Sequence, residues 1–270
     1  MLMLEELEKM TGAKTHQMFD LIVGTSTGAV IASMMGISCM GARDTMLFNT
    51  SWTKEIPAVS FVSSLVTNKM QPHMFSNYTH HPSSKPPFPH TTTLPLWQAI
   101  MASCAAPGYF SQVVISGSTH VDGAMVANNP TQLALLESKL LWPEERLQCL
   151  LSLGSGRSVF LGVDENMTVS TKDMFSRSLD VLADTETVHQ VLGLLLAEEK
   201  YFRLNPPLRE MVEIDEIREE QMEEVMRDTR MYIRRNRKLF SDLAVTLLEQ
   251  PSRVDKVVRM VRENRRKLGI

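Results

Sequence analysis

Ser26 is the residue of this chain whose setting could do chemistry. It is the centre of Gly24-Thr25-Ser26-Thr27-Gly28, a G-x-S-x-G pentapeptide between the apolar run Phe19-Asp20-Leu21-Ile22-Val23 and the small, apolar run Ala29 to Met35. That order, β-like run, pentapeptide, helix-compatible run, is what a nucleophile elbow needs, because the serine must sit on a strained strand-to-helix turn with its hydroxyl exposed. Gly24 and Gly28 would remove side chains where the turn crowds its neighbours, and the N–H groups of the opening helix would face an oxyanion formed nearby. A serine hydroxyl is a poor nucleophile until a base takes its proton. The sequence holds two solutions. Asp122 closes a short β-like run and is followed by Gly123-Ala124, which lets the chain turn sharply and approach another backbone. His189 is the one histidine after Asp122, as a triad of hydrolase order would require, but it lies inside the helix-like Asp184–His189 and reads as a helix-face histidine.

The elements that must position these groups read as an α, β, α opening. Residues 1 to 10 form an amphipathic helix, Thr11 to Lys14 a turn, and His16 to Val23 a strand running into the elbow. A membrane span over Leu21 to Ala42 would be long enough and uncharged, but its Gly-, Thr- and Ser-rich first third suits a buried strand and helix better. Ile56 to Val62 reads as the next strand. From Pro72 to Pro95 lie six of the thirteen prolines and four of the seven histidines, which predicts a long irregular surface loop. His80, His81 and His90 have no carboxylate between them and no common ligand spacing, so they read as a solvated loop, and neither a metal nor a cofactor is assigned. Leu96 to Ala106 is helical and stopped by Pro107-Gly108. Gln112–Ile115 and Thr119–Val121 form a hairpin around Ser116-Gly117-Ser118. Asn129-Pro130 caps a helix over Thr131–Leu141, Leu147–Leu153 is a buried strand entering the turn Gly154-Ser155-Gly156, and Leu179–Leu196 is a further helix.

Composition bounds the function classes. With 43% hydrophobic and 22% charged residues the chain is an ordinary globular protein, and a net charge of −3 gives no reason to expect nucleic acid as a partner. Cys39, Cys104 and Cys149 are odd in number and lack C-x-x-C spacing, which predicts reduced, buried thiols and an intracellular setting. The tail segregates its charge. Glu210 to Glu224 carries eight acids against one base, and Arg227 to Lys238 six bases against Asp228. Val254, Val257, Val258 and Val261 then share one helical face among basic residues, a pattern that fits an anionic membrane surface as well as a solvated helix packed on the domain.

Together, Gly24-Thr25-Ser26-Thr27-Gly28, Asp122-Gly123-Ala124 and Ala102-Ser103-Cys104-Ala105-Ala106-Pro107-Gly108-Tyr109-Phe110 resemble the patatin-like phospholipases, and within them the calcium-independent, gamma-type phospholipases A. Further stretches carry the likeness: His16 to Asp20, Asn128-Asn129-Pro130, Leu150 to Gly154, Asp184-Thr185-Glu186 and Tyr201 to Pro206. The resemblance implies a three-layer α/β/α sheet with a nucleophile elbow, followed by C-terminal helices. It implies a Ser-Asp dyad, Ser26 as nucleophile and Asp122 as its activating group, with Gly24, Thr27 and Gly28 in the elbow and oxyanion region and Gly123 and Ala124 in the acid loop. The substrates would be membrane phospholipids, hydrolysed without calcium at a membrane surface. From position alone, Met34, Met35, Tyr109 and Phe110 are expected to line an acyl groove.

The family supplies oxyanion donors from a glycine-rich loop ahead of its first helix, whereas here Gly12 is the one glycine before Gly24. The expectation is therefore a sheet without its first strand and that loop, with a shortened connector over Arg43–Pro57. Residues 1–210 form the acyl hydrolase domain and 211–270 a charged helical extension. Three functions compete: a lipid acyl hydrolase, a weakly active or inactive lipid-binding pseudoenzyme, and a soluble-substrate esterase or peptidase using His189.

Overall fold

The computed structural model describes residues 1–39, 57–158, 185–210 and 215–249. Its spine is β2 (Ala58–Val66), nine residues with an almost unbroken buried pattern. One edge of β2 carries β3 (Met70–Ser76), antiparallel from Ser60↔Ser76 to Val66↔Met70, and beyond it β4 (His90–Thr91). The other edge is shared by two strands end to end. The first, β1 (Leu21–Thr25), runs parallel over Leu21↔Ala58 to Thr25↔Val62; β6 (Ser118–Asp122) runs antiparallel over Val66↔Thr119 to Ser63↔Asp122. The hairpin partner β5 (Val113–Ile115) completes this six-stranded mixed sheet.

Helices cover both faces, which makes three layers. On one side α3 (Thr27–Ala32) and α4 (Leu96–Ser103) lay Ala29, Ala32, Ala99 and Ala102 on Val59, Phe61 and Phe75. Alanines at these contacts let both helices approach the sheet closely. On the other side α5 (Ala124–Ala127) and α6 (Thr131–Leu141) bring Ala127 and Leu133 against Val23, Val62 and Met74. Asn129 receives the Thr131 N–H on Oδ1 at 3.2 Å, one residue ahead of the N-cap position, which Pro130 holds.

The second half of the chain adds two short parallel pairs, β7 (Leu150–Leu153) with β9 (Tyr201–Leu204) and β8 (Arg157–Ser158) with β10 (Pro207–Leu208), and α7 (Glu186–Leu195). A buried cluster then joins the two ends of the chain. Met3, Leu4 and Leu7 of α1 (Leu2–Thr11) share it with Met35, Phe202, Leu204, Phe240 and Leu243. Phe240 and Leu243 belong to α9 (Arg237–Leu248), and Tyr232 and Ile233 of α8 (Glu219–Arg235) pack beside them. Each such side chain contributes roughly 1.5–3 kcal/mol by leaving water, so this packing holds α8 and α9 on the body.

Local details depart from the sequence reading. Residues 16–18 are not strand but part of the helical turn α2 (Thr15–Met18). Gln17 Oε1 accepts the Lys14 N–H at 2.9 Å and Glu8 accepts from both the N–H and the hydroxyl of Thr15, and these side-chain acceptors win over the apolar pattern. The elbow helix passes into a π-helical segment, Ser33–Ile37. Residues 72–76, expected as loop, belong to β3; Pro72 is tolerated opposite Ser64 because β4 reaches only Met74 and Phe75, leaving that part of β3 an edge. No helix among the described residues is long and apolar enough to cross a membrane. The basic segment around Val254–Lys267 and nearly all of the connector Arg43–Pro57 lie outside the described residues.

Candidate active site

The meeting of β1 and β6 on one edge of β2 builds the site. Thr25 pairs with Val62 and Asp122 with Ser63, so the two strands end on adjacent residues of the spine. Had β1 continued, Ser26 would fall opposite Ser63, where Asp122 already sits. The chain has to leave the sheet at Ser26, and it does so with φ 54 and ψ −128, in the positive-φ region that costs a non-glycine residue of order 1–3 kcal/mol. Ser26 Oγ lies 2.7 Å from Asp122 Oδ2, a hydrogen bond spanning 96 residues of sequence.

The glycines divide by their surroundings. A Cβ on Gly24 would lie 2.2 Å from Gly28 O and 2.6 Å from Ala29 N, and one on Gly123 would lie 2.1 Å from Val62 O. Both collide with backbone, so Gly24 and Gly123 are required by close approach. Gly28 differs from the expectation, since a Cβ there meets nothing within 4 Å. Its place in the motif is not a matter of crowding.

The run Ser103-Cys104-Ala105 at the end of α4 clasps both halves of the pair. Ser103, fully buried, accepts the Ser26 N–H on Oγ at 3.1 Å and donates that hydroxyl to Val62 O at 2.6 Å. The carbonyls of Ser103 and Ala105 receive the N–H groups of Gly123 and Asp122, each at 3.0 Å. Cys104 donates its thiol to Ser26 O, and burial, with Asp122 beside it, pushes that thiol up to about 11, so it is a neutral donor rather than a competing nucleophile. The hydroxyl of Ser64 fixes Asp122 O at 2.6 Å. Sequence reading gave these residues no role. Their signal was there in a run of small residues, Ala102 to Ala106, which lets backbone segments approach closely.

Asp122 is 3% exposed. Burial raises its carboxyl above the ordinary value, and the Ala124 N–H on Oδ1 at 2.7 Å together with the Ser26 hydroxyl pulls the other way. A carboxyl shifted upward is a stronger base once ionised, as activation of a hydroxyl asks. The histidines are otherwise engaged. His189 Nδ1 is 3.1 Å from the Tyr201 hydroxyl, and His120, whose pKa burial lowers, is 2.9 Å from Ser63 Oγ through Nδ1.

The expected groove residues do not share one place. Met35, in the π-helical turn, is 1% exposed and packs inside the cluster that joins α1 to α9. Met34 is half-buried. Tyr109 and Phe110 stand exposed in the turn after α4, Phe110 at 65%, and Trp97 and Met101, one turn apart on α4, are exposed too.

Four of the other stretches that carried the resemblance join in one polar network. Arg203 donates to Ser152 Oγ at 3.0 Å and approaches Glu186 Oε1 at 3.4 Å, Asn205 donates to the same oxygen at 3.1 Å, and Asn129 donates to Thr185 O at 2.9 Å. Burial alone would raise the Glu186 carboxyl, but Asn205, Arg203 and Thr185 outweigh it and hold it below its usual value. The network binds α6, α7, β7 and β9 together.

Fold and site together define an α/β protein that presents an elbow serine to a buried carboxylate. The family model described as patatin-like phospholipase matches residues 54–135, which include Asp122 but not the elbow. The human calcium-independent phospholipase A2-gamma is 30% identical over 305 residues, covering 94% of this chain, and the mouse protein of that name is 29% identical over 302. Phospholipase A I of Arabidopsis thaliana is 27% identical over 75% of the chain. The chain is similar to the patatin-like phospholipases, through the family model over residues 54–135 and through these relatives over most of its own length. It spans 39% of the length of the human and mouse relatives and 23% of the plant one.

Proposed function

We propose that this chain hydrolyses fatty acyl esters of membrane glycerophospholipids through a Ser26–Asp122 dyad and an acyl-enzyme, without calcium. The observation that carries the reading is the 2.7 Å contact between Ser26 Oγ and Asp122 Oδ2 at a positive-φ elbow. Ser26 Oγ attacks the acyl carbonyl as its proton passes to Asp122 Oδ2. The oxyanion faces the Thr27 N–H at the opening of α3, with Gly28 leaving open space beside it. Collapse expels the lysophospholipid oxygen, which takes the proton from Asp122. Water then gives a proton to Asp122 and attacks the acyl-serine, releasing fatty acid and restoring the hydroxyl.

The exposed side chains of Trp97, Met101, Tyr109 and Phe110 suit contact with a lipid surface and support a peripheral association with an intracellular membrane as part of this reading. The basic segment beyond residue 252 would add attraction to anionic headgroups. Fluorophosphonate labelling and fatty-acid release from phosphatidylcholine vesicles test the reading. Wild type is expected to label and turn over, and Ser26→Ala to do neither. Labelling that persists in Ser26→Ala would remove the nucleophile assignment. Vesicle binding without labelling or release would instead favour lipid binding alone.

A further inference from the structure

Glu137 is a carboxylate in the wrong place for a solvated side chain. It follows Leu133 by one turn on the sheet-facing side of α6, and its side chain is 4% exposed. The Tyr78 hydroxyl donates to Oε2 at 2.7 Å, His80 Nε2 lies 2.9 Å from the same oxygen, and His90 Nε2 approaches it to 3.8 Å. Neither histidine is solvated, contrary to the sequence reading; their side chains are 7% and 10% exposed, while His81 alone of the three is open to water. Among the described residues, the groups of basic type within 4.0 Å of Glu137 are these two imidazoles.

We propose that His80, His90 and Glu137 bind a divalent transition metal, zinc first, which clips the 77–91 segment to α6. The ligand atoms all lie within 4.8 Å of one another. Ligand atoms on a tetrahedral zinc with bonds of about 2.0–2.1 Å stand about 3.3 Å apart. The His80–Glu137 contact would open from 2.9 Å, the His90–Glu137 contact would close from 3.8 Å, and the two imidazole nitrogens, within 4.8 Å of each other, would settle to the same spacing. Two imidazole nitrogens and one carboxylate form a zinc-type set, whereas calcium asks for oxygen alone. Ser76 Oγ, 3.0 Å from His90 Nε2, and the Tyr78 hydroxyl stand by as outer partners or a fourth ligand. The cluster is assembled on β4, the loop before it and α6, whereas the elbow helix α3 covers the opposite sheet face. Metal binding is therefore read without reference to acyl transfer.

The test is titration of the chelator-treated chain with CoCl₂, followed by the visible ligand-field bands of bound cobalt, then displacement with ZnCl₂ and a parallel titration with CaCl₂. Saturable cobalt binding, displaced by zinc and not by calcium, is expected. His80→Gln and His90→Gln should each weaken it by at least about 10- to 100-fold, and His81→Gln should leave it unchanged. Zinc should raise the melting temperature of wild type and not of the double variant His80→Gln/His90→Gln. No saturable binding, or equal affinity in the double variant, overturns the proposal. If the variants do not fold, X-ray absorption of the zinc-loaded wild type decides: two imidazoles in a nitrogen and oxygen shell support the site, and sulfur ligation overturns it.

Discussion

Gly24 and Gly28 hold the two glycine positions of one motif, yet the structure assigns them opposite tolerances. In Gly24→Ala the new methyl would sit 2.2 Å from Gly28 O and 2.5 Å from Gly28 C, both backbone atoms at the start of α3. An ordinary carbon-to-oxygen contact needs about 1 Å more, so strand and helix must separate by that amount or the turn must distort. Overpacking of this kind costs up to about 3 kcal/mol. At roughly 2–4 °C per kcal/mol, the melting temperature should fall by about 6–12 °C. Displacing Ser26 by about 1 Å from Asp122 should slow fluorophosphonate labelling by about 100-fold. Gly28→Ala adds a methyl into open space in the first turn of a helix, where alanine is favoured by roughly 0.5–1 kcal/mol. It should melt at or above the wild-type temperature. Differential scanning fluorimetry with timed labelling of both variants checks the pair. A Gly24→Ala protein as stable and reactive as wild type, or a Gly28→Ala protein destabilised as much as Gly24→Ala, would refute the argument from close approach.

Three further outcomes follow from the same geometry. Ser103→Ala leaves the Ser26 N–H and Val62 O without this partner in a fully buried position, which should cost about 1–3 kcal/mol in urea unfolding and slow labelling in the protein that remains folded. Because burial raises Asp122 above the unfolded value of about 3.9, hydrolysis should fall as pH drops through that raised pKa, while the stability contributed by the protonated carboxyl, full below about pH 4, is lost as pH rises through it. The acid limb of kcat/KM, with the wild-type minus Asp122→Asn melting difference followed across the same pH range, reads both signs; a limb at or below the ordinary carboxylate value contradicts them. Met35→Ala should destabilise by about 2–5 kcal/mol yet leave the labelling rate per folded molecule unchanged, as a core side chain requires and a groove side chain does not.

The elbow was legible in the sequence because its order is local: an apolar β-like run, the pentapeptide around Ser26, then small helix formers. Turn and cap signals such as Gly12 after α1, with φ 70, and Asn129 before α6 were legible for the same reason. So was Asp122-Gly123 as a strand ending in a sharp turn. Residues 16–18 and 72–76 were misassigned because the forces deciding them are not periodic: side-chain acceptors on a helical turn in one case, the free edge of a sheet in the other.

Sequence alone marked which residue types could do chemistry; distance was left to the tertiary structure. Ser26 and Asp122 lie 96 residues apart, and what joins them is the pairing of two strands with adjacent residues of β2, a register no local pattern encodes. Met35 went to the core because a π-helical turn and an N-terminal helix meet there. His80 and His90 looked solvated because their carboxylate does not lie between them; it arrives from α6, 57 residues after His80, on the helix face where spacing alone calls for an apolar side chain. Residue type is written locally, but burial and partnership depend on contacts between distant segments.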